Sequence, residues 1–406
     1  MRKIDTRSFV RATRSTPRDI NRRILLNLVR DHEPISRADL ARRMELGRGM
    51  VTSLVVELIA DGTLYEGATV DAPRGRRPQM LYVRTRDRLV VAVDVRLSKT
   101  YVMLTDFSAV PIALETFATT TDPDALIVEI VLRTQRMLRT HGGAGRCEGL
   151  GLVVPGMVDV ASGRVLNAPQ LGWRNVDVRD RLSRALDLPV HVENAPIACA
   201  LAQMWLGQGG KGAPTNFVYV TVSDGVGAGV VVNGQVVRGE SNTAGEFGHV
   251  PLSMDGPVCL CGGRGCLEAY TSNLATLTRY LGQEFSPGTA RGLIQSSGLT
   301  ITDVISRSRT GETRAIAALQ TTARHLGAGL AVVINTLSPA QIFIGGEIAE
   351  VWDQLLPTIR AVISERVLTE SAAATPLMAD AGSSYPRLRG GAALVAAPLF
   401  AAPRIA

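Results

Sequence analysis

Three cysteines and one histidine lie close together in the middle of the sequence. Cys259, Cys261 and Cys266 fall within eight residues, and His249 precedes the first of them by ten positions. Three thiolates and one imidazole are a complete ligand set for a tetrahedral zinc ion. Because such a set leaves no position for water, the sequence predicts a structural Zn²⁺. The alternative is a loop whose reduced cysteines bind no metal.

The residues between these ligands favour the metal site. Gly262, Gly263 and Gly265 separate the cysteines, and turns between closely spaced ligands require the positive φ that glycine adopts readily. The chain has five cysteines, an odd number that does not suit a disulfide framework and fits a reducing compartment. Cys147 and Cys199 stand alone among apolar residues and are interpreted as core thiols.

The positive charge of the chain is confined to its N-terminal part. Residues 1–88 contain 19 Lys/Arg and 11 Asp/Glu, a net charge of +8, which leaves −1 of the total +7 for the remainder. A local field of this sign indicates a polyanion, either nucleic acid or an acidic membrane surface, although a solvated basic tail is the alternative. No apolar run approaches the roughly 20 residues that span a bilayer, so we expect a cytoplasmic protein without membrane insertion.

Short helices and strands must position these charges. Residues 1–15 lack apolar periodicity and are expected to form a flexible basic arm. Capping residues and apolar spacing then predict three helices and two short strands joined by an arginine-rich loop. This order predicts a winged helix-turn-helix domain over residues 16–84. A helical protein-interaction module with a solvated basic loop is the alternative. The predicted elements are helices from Thr16 to about Asp31, from Arg37 to about Met44 and from after Gly47 to Gly62, and strands around Leu64 and Met80–Val83.

In such a domain the third helix enters the major groove, and the loop between the strands contacts phosphates or the minor groove. Arginine suits this task because its forked donors match phosphate oxygens and guanine edges. The candidate DNA-binding residues are Arg37, Arg48, Thr52, Ser53, Arg74, Arg76 and Arg77.

From Leu89 onward, strand and helix patterns alternate, which predicts an α/β layered domain. The pattern includes a helix over Val176–Leu186, a helix from Ala195 to Leu206, a hairpin at Asn233-Gly234 and a long helix from about Thr313 to Leu337.

The metal cluster is part of a longer pattern. Glu246-Phe247-Gly248-His249 is followed after nine residues by Cys-x-Cys-Gly-x-x-Gly-Cys-x-Glu, which ends at Glu268. This pattern resembles the signature of the ROK family of sugar kinases and sugar-responsive repressors. The resemblance implies an actin/hexokinase-like fold with two lobes, residues 85–206 with 388–402 and residues 207–387, the second of which carries the zinc loop 245–268. The repressor branch also begins with a winged helix-turn-helix.

The resemblance further implies a sugar-binding cleft beside the metal. Carboxylates and imidazole suit polyols because each oxygen or nitrogen can satisfy a directional hydroxyl hydrogen bond. His249 would use one ring nitrogen for zinc and the other for a sugar hydroxyl. The alternative for Glu268 is a structural role as an acid at a helix N-terminus, where the helix dipole stabilises its negative charge. The implied sugar-binding residues are Gly156, Asn167, Asn194, Glu246, His249 and Glu268.

Two departures from the kinase pattern indicate that the domain is not an enzyme. Family kinases carry Asp-x-Gly-Gly-Thr in the first phosphate loop, whereas this chain has Arg96 and Leu97 where the two glycines would be. They also carry Glu-Asn-Asp, whose aspartate is the general base, whereas this chain has Ala195. Loss of a general base costs about two to four decades in rate. Asp224–Gly229 and Gly345-Gly346 resemble nucleotide loops and are interpreted as inherited architecture.

These observations predict a DNA-binding regulator, with repression as the family expectation, of genes for carbohydrate uptake or catabolism. Its partners would be double-stranded operator DNA and a sugar or sugar derivative. A homodimer or tetramer is expected because a palindromic operator requires paired recognition helices. Two alternatives remain: an active sugar kinase with an appended DNA-binding domain, and a ligand-independent regulator controlled by a protein partner. Since the aspartate missing at Ala195 would itself bond the sugar, a changed ligand is as compatible with the sequence as no ligand.

Overall fold

A computed structural model describes residues 16–69, 79–142, 146–206, 214–296, 298–380 and 385–401. The basic arm and the three arginines of the loop at 70–78 lie outside these ranges. The chain divides into two compact units. The first comprises Met1–Leu89, Asp106–Val110 and Ala396–Ala406, and the second comprises Val90–Thr105 and Pro111–Val395. Within the described ranges, no helix combines the length and apolarity needed to cross a bilayer.

The first unit contains three helices and a small antiparallel sheet in the order predicted from the sequence. Ser36 begins the second helix as an N-cap, and its Oγ accepts a hydrogen bond from the backbone N of Asp39 at 3.2 Å. The sheet has the strand order β1-β3-β2. The elements are α1 (Thr16–His32), β1 (Ile35–Ser36), α2 (Arg37–Met44), α3 (Arg48–Ala60), β2 (Leu64–Thr69) and β3 (Gln79–Val83).

The apolar faces of these helices meet in one core. Leu25, Leu40, Leu54 and Leu58 are fully buried, and each lies on the face that the helical periodicity predicts. Because α3 directs its apolar side inward, Arg48, Thr52 and Ser53 are left exposed on its outer side.

The second unit contains two five-stranded sheets. Sheet I has the order β11-β7-β4-β5-β6, with β11 and β7 parallel, and a smaller antiparallel sheet has the order β10-β9-β8. The elements of this half are β4 (Leu89–Val95), β5 (Lys99–Asp106), β6 (Pro111–Ala118), α4 (Pro123–Thr140), β7 (Cys147–Val154), β8 (Met157–Asp159), β9 (Arg164–Ala168), β10 (Trp173–Asp177), α5 (Arg179–Leu186), β11 (Val190–Asn194) and α6 (Ala195–Leu206).

Sheet II has the order β14-β13-β12-β15-β16, and β12 pairs in parallel with β15. Its main core is formed with the long helix α11, whose buried face includes Leu319, Leu326 and Ile334. The elements are β12 (Phe217–Val222), β13 (Val226–Val232), β14 (Gln235–Val236), α7 (Glu268–Thr271), α8 (Asn273–Tyr280), α9 (Pro287–Ser296), α10 (Ile301–Arg309), α11 (Thr313–Leu337), β15 (Gln341–Gly345), α12 (Trp352–Arg366), α13 (Glu370–Ala373) and β16 (Leu377–Ala379), with 3-10 turns at Phe247–His249 and Glu347–Val351. The last helix, α14 (Pro386–Phe400), returns to sheet I, where Leu388 packs with Ala92 of β4 and Met103 of β5.

One boundary predicted from the sequence is wrong. Val176 and Asp177 belong to strand β10, where they pair with Val165 and Arg164, and the helix begins only at Arg179. The apolar spacing of a short strand resembled one helical turn, and the pairing partner that decides between them lies more than ten residues away.

Candidate functional site

The four candidate metal ligands converge. Their ligand atoms all lie within 4.8 Å of one another. The distance from Cys259 Sγ to His249 Nδ1 is 3.8 Å, and that from Cys261 Sγ to Cys266 Sγ is also 3.8 Å. Zn–S bonds of about 2.3 Å place two tetrahedral sulfur ligands about 3.8 Å apart, whereas a disulfide would place them about 2 Å apart. The donor set and its spacing therefore fit a tetrahedral metal ion.

The loop that carries the cysteines has little freedom. The backbone N of Cys259 donates to the carbonyl of Gly263 at 2.8 Å, and the backbone N of Gly263 donates to Cys261 Sγ at 3.4 Å. Gly265 has a φ of 66°, and a Cβ there would lie 1.7 Å from the carbonyl oxygen of Ser253. Glycine is therefore required at this position for both steric and conformational reasons.

An open cleft of about 670 Å³ lies beside this cluster. Its lining includes Glu246, His249 and Glu268. His249 directs Nδ1 toward Cys259, whereas its Nε2 lies 3.7 Å from Glu246 Oε2. The imidazole thus has one nitrogen on the metal side and the other on the cleft side, as the family resemblance implies.

Glu268 connects the metal cluster with the cleft. It is only 6% exposed, and its Oε2 accepts a hydrogen bond from the backbone N of Val226 at 2.8 Å. Cys259 Sγ lies 3.6 Å from the other carboxylate oxygen. Burial raises the pKa of Glu268, and it also raises the pKa of Glu246. The buried carboxyl group of Glu268, the partly buried one of Glu246 and the imidazole of His249 are suited to directional hydrogen bonds with hydroxyl groups.

Other parts of the cleft come from sheet I. Gly156 follows β7 and has a φ of 86°; a Cβ there would lie 2.1 Å from the carbonyl oxygen of Asn167. Asn194 ends β11 and caps α6, since its Oδ1 accepts from the backbone N of Ile197 at 3.1 Å. Gly156 and Asn194 line the cleft, whereas Asn167 lies behind Gly156 on β9. Gln170 and Arg387 also line it, and no spacing in the sequence singled them out.

Ala195 lies in the cleft wall at the first residue of α6, and it is only 2% exposed. Arg387 also lines the cleft. Its Nη1 lies 3.6 Å from Asp94 Oδ1. The lining therefore combines the acidic groups beside the metal cluster with an arginine.

A second cavity of about 170 Å³ has both Arg387 and Arg96 in its lining. The Arg96 guanidinium donates to Asp94 Oδ2 at 2.7 Å and to Glu347 Oε1 at 3.3 Å, and it stacks over the ring of Tyr101 at 4.7 Å. Burial opposes the charge of Arg96, but the two carboxylates outweigh it and raise its pKa. Arg96 thereby joins the end of β4 in sheet I to the turn after β15 in sheet II.

Acidic groups also occupy the loops of sheet II that face this cavity. Asn273 Nδ2 donates to Glu347 Oε2 at 2.9 Å and lies 3.4 Å from Asp224 Oδ1. Burial, and secondarily the charge of Glu347, raises the pKa of Asp224. The glycine-rich turn between β12 and β13 therefore begins with an acid whose ionised form is disfavoured.

In the first unit, the described DNA-binding candidates have different environments. Arg48 is exposed at the start of α3, and no acidic residue occupies the first turn of that helix. Arg37 forms an ion pair with Glu66. Thr52 Oγ1 donates to the carbonyl of Arg48 at 2.8 Å, and Ser53 Oγ accepts from Arg18 Nη2 at 2.8 Å.

Comparisons with known proteins cover both units. The ROK family model matches residues 90–397. A putative xylose repressor of Caldicellulosiruptor sp. (strain Rt8B.4) is 29% identical over 359 residues, which are 86% of this chain and 88% of the relative. The crystal structure of a ROK family transcriptional regulator, a homologue of the E. coli MLC protein, matches with a TM-score of 0.78 and 26% identity over 95% of this chain and 97% of that one. A ROK family glucokinase from Streptomyces griseus, crystallised with glucose and AMPPNP, matches with a TM-score of 0.63 and 25% identity over 75% of this chain and 98% of the kinase.

Proposed function

Because this chain belongs to the ROK family, we propose that it is a sugar-responsive transcriptional repressor. Residues 16–84 bind operator DNA, and residues 85–402 form the sensor, with one lobe at 85–206 and 388–402 and the other at 207–387. The observation that carries the proposal is the cleft. It keeps side chains suited to hydroxyl groups, Glu246, His249 and Glu268, but has Ala195 where the family's kinases have their general base.

The first unit supports DNA binding by its geometry and charge. Its three helices and sheet follow the order of a winged helix-turn-helix, in which α3 is the recognition helix. Arg48 is free of acidic neighbours in the first turn of α3, so it can meet a phosphate or a guanine edge. A palindromic operator would be bound by two copies of the chain.

The metal is proposed to be a structural Zn²⁺ held by His249, Cys259, Cys261 and Cys266. The fit rests on the donor chemistry and on the 3.8 Å separations. Bound there, Zn²⁺ would supply a rigid cross-link and no chemistry of its own. Its ligand His249 and its neighbour Glu268 belong to the cleft wall, so the same cross-link would orient the groups that bind the effector.

Phosphoryl transfer is opposed at two places. Ala195 provides no base for a sugar hydroxyl. Arg96 stands where the family's kinases have a glycine of the first phosphate loop; it lines the second cavity, and its charge is paired with Asp94 and Glu347. Each change lowers the transition-state stabilisation on which phosphoryl transfer depends.

The experiment that tests the proposal measures DNA binding and its release together. The purified full-length chain is mixed with sheared genomic DNA of its source organism, bound fragments are sequenced, and a panel of sugars and sugar phosphates is added to the complex. We expect enrichment of a few fragments and their release by one member of the panel. Binding without sequence preference, or release by no panel member, would contradict a sugar-responsive repressor.

The similarity to a glucokinase makes an active kinase the second candidate. A coupled assay of ADP release over the same panel separates the two. Turnover with any sugar would restore the kinase, and we expect none above the rate without protein.

A further inference from the structure

The exposed side of the proposed recognition helix, α3, includes an apolar side chain, Val56. Val51, Leu54, Val55 and Leu58 are buried, so the opposite side of α3 faces solvent. Val56 lies on that side with 55% of its surface exposed, and Thr52 lies one helical turn before it. An exposed valine at this position adds nothing to the core of the first unit.

The hydrogen-bonding groups on this side are already engaged within the unit. The Thr52 hydroxyl is turned back to its own helix, where it donates to the carbonyl of Arg48 at 2.8 Å. Arg18 of α1 lies over the second half of α3, where it donates to Ser53 Oγ at 2.8 Å and forms an ion pair with Glu57. Beyond the first turn of α3, the methyl group of Thr52 and the isopropyl group of Val56 are therefore available to a partner.

The occupant that fits this surface is DNA. The unit has a strong positive charge, with a net +8 over residues 1–88, and Arg48 begins the helix. Within the major groove the apolar feature is the C5 methyl group of thymine, which threonine methyl groups and other small apolar side chains contact. The part of α3 that presents these two apolar groups one turn apart is therefore suited to contact thymine methyl groups, while Arg48 at the start of the helix remains available for a phosphate or a guanine edge.

We propose that Thr52 and Val56 determine operator specificity by contacting thymine methyl groups. The inference rests on the proposed DNA-binding function and assigns the contact of Thr52, a candidate DNA-binding residue from the sequence, to its methyl group. Ser53 then acts with Arg18 to hold α1 against α3, and it does not contact a base.

The test uses thymine and uracil, which differ only in this methyl group. The full-length chain selects its preferred duplex from a random-sequence library, and each thymine of that duplex is replaced in turn by deoxyuridine. We expect the Kd to rise about three- to fivefold at one or two positions in each half-site, the value for loss of one buried methyl contact. Val56→Ala should abolish the sensitivity at one of these positions.

Isosteric variants separate the methyl group of Thr52 from its hydroxyl. Thr52→Val keeps the methyl group and should retain the selected sequence, whereas Thr52→Ser keeps the hydroxyl and should lose the response to uracil. Met50, 48% exposed on the flank of the same helix, is the matched control, and Met50→Ala should leave the uracil pattern unchanged.

The outcomes distinguish two failures. Two results would overturn the proposed contacts with thymine methyl groups and leave DNA binding intact. One is a selected duplex that binds equally well with uracil at every thymine, and the other is a changed base preference of Thr52→Val. Enrichment of no duplex overturns both, because the proposed function has then failed.

Discussion

Arg96 lies between two carboxylates, Asp94 of sheet I and Glu347 after β15 of sheet II. Asp94 is completely buried, and removal of the guanidinium would leave its carboxylate without the partner at 2.7 Å and with the more distant Arg387 at 3.6 Å. Breaking a buried ion pair on one side costs more than the pair contributes, because the remaining charge stays desolvated. The same guanidinium also holds Glu347 of sheet II, so its loss acts on both sheets.

We expect Arg96→Ala to lower the free energy of unfolding of the full-length chain by about 3 kcal/mol, the lower end of the range for a broken buried pair. Urea unfolding followed by circular dichroism measures the change. Arg309→Ala is the matched control. Its ion pair with Asp353 is largely exposed, and such pairs contribute less than about 1 kcal/mol. Equal losses in the two variants would contradict the structural role of Arg96.

The ion pair between Arg96 and Glu347 should make the stability of the protein depend on pH. Burial opposes its charge, but the hydrogen bond from Asn273 and the charge of Arg96 lower its pKa below the ordinary 4.5. A lowered folded-state pKa contributes stability above the unfolded-state value, and that contribution is lost as pH falls through the folded-state value. The stability difference between wild type and Glu347→Gln should therefore be greatest above about pH 4.5 and shrink at lower pH. Urea titrations from pH 7 to pH 3.5 measure it, and a constant difference would exclude this linkage.

At the scale of elements, the metal loop depends on a backbone that only glycine allows. A methyl group on Gly265 would overlap the carbonyl of Ser253, and its φ of 66° is unfavourable for any other residue. Gly263 lies two positions earlier, and a Cβ there would meet the nearest sulfur atoms at an ordinary 3.5 Å.

Gly265→Ala should therefore lose bound zinc and lower the Tm, whereas Gly263→Ala should keep one zinc ion per chain. Elemental analysis after dialysis against a weak chelator measures the bound zinc. Differential scanning fluorimetry measures the Tm. Retention of zinc by Gly265→Ala would show that the loop tolerates a different backbone. Loss of zinc by both variants would show that the loss is not specific to Gly265.

The sequence predicted those elements whose signals are local. Helices such as α3 and α11 and the ligand set around Cys259 follow from spacing within one segment. The small sheet of β8, β9 and β10 was not predicted, because its strands are short and their pairing connects separate segments. Arg387 was missed for a similar reason, since it enters the cleft from a helix nearly 120 residues beyond the metal loop.

Interactions between elements also engage residues that the sequence had identified. Ser53 was predicted as a DNA contact from its position on the outer face of α3, and Arg37 was also among the predicted contacts. Ser53 accepts a hydrogen bond from Arg18 of α1, and Arg37 pairs with Glu66 of β2. Helical periodicity shows which face is exposed, but it does not show which side chains of another element already cover that face.

At the scale of the whole molecule, a repressor must couple effector binding to DNA binding. Any effector that releases DNA must bind the DNA-free form more tightly than the DNA-bound form, and the coupling is reciprocal. A change confined to the cleft should then alter the response to the effector and leave the affinity for DNA in its absence unchanged. Glu246 suits this test, because it lines the cleft without being one of the four metal ligands.

We expect Glu246→Gln to bind the selected operator with wild-type Kd but to require about five- to tenfold more sugar for release. Hydrogen bonds to charged groups contribute about 1.5–3 kcal/mol and those between neutral groups about 0.5–1.5 kcal/mol, so replacing the carboxylate by an amide should cost about 1–1.5 kcal/mol. Fluorescence anisotropy of labelled operator, titrated with the sugar that releases wild type best, measures both quantities. Glu240→Gln, an exposed acid near the cleft in sequence, should behave as wild type. Unchanged release by Glu246→Gln would place the effector elsewhere.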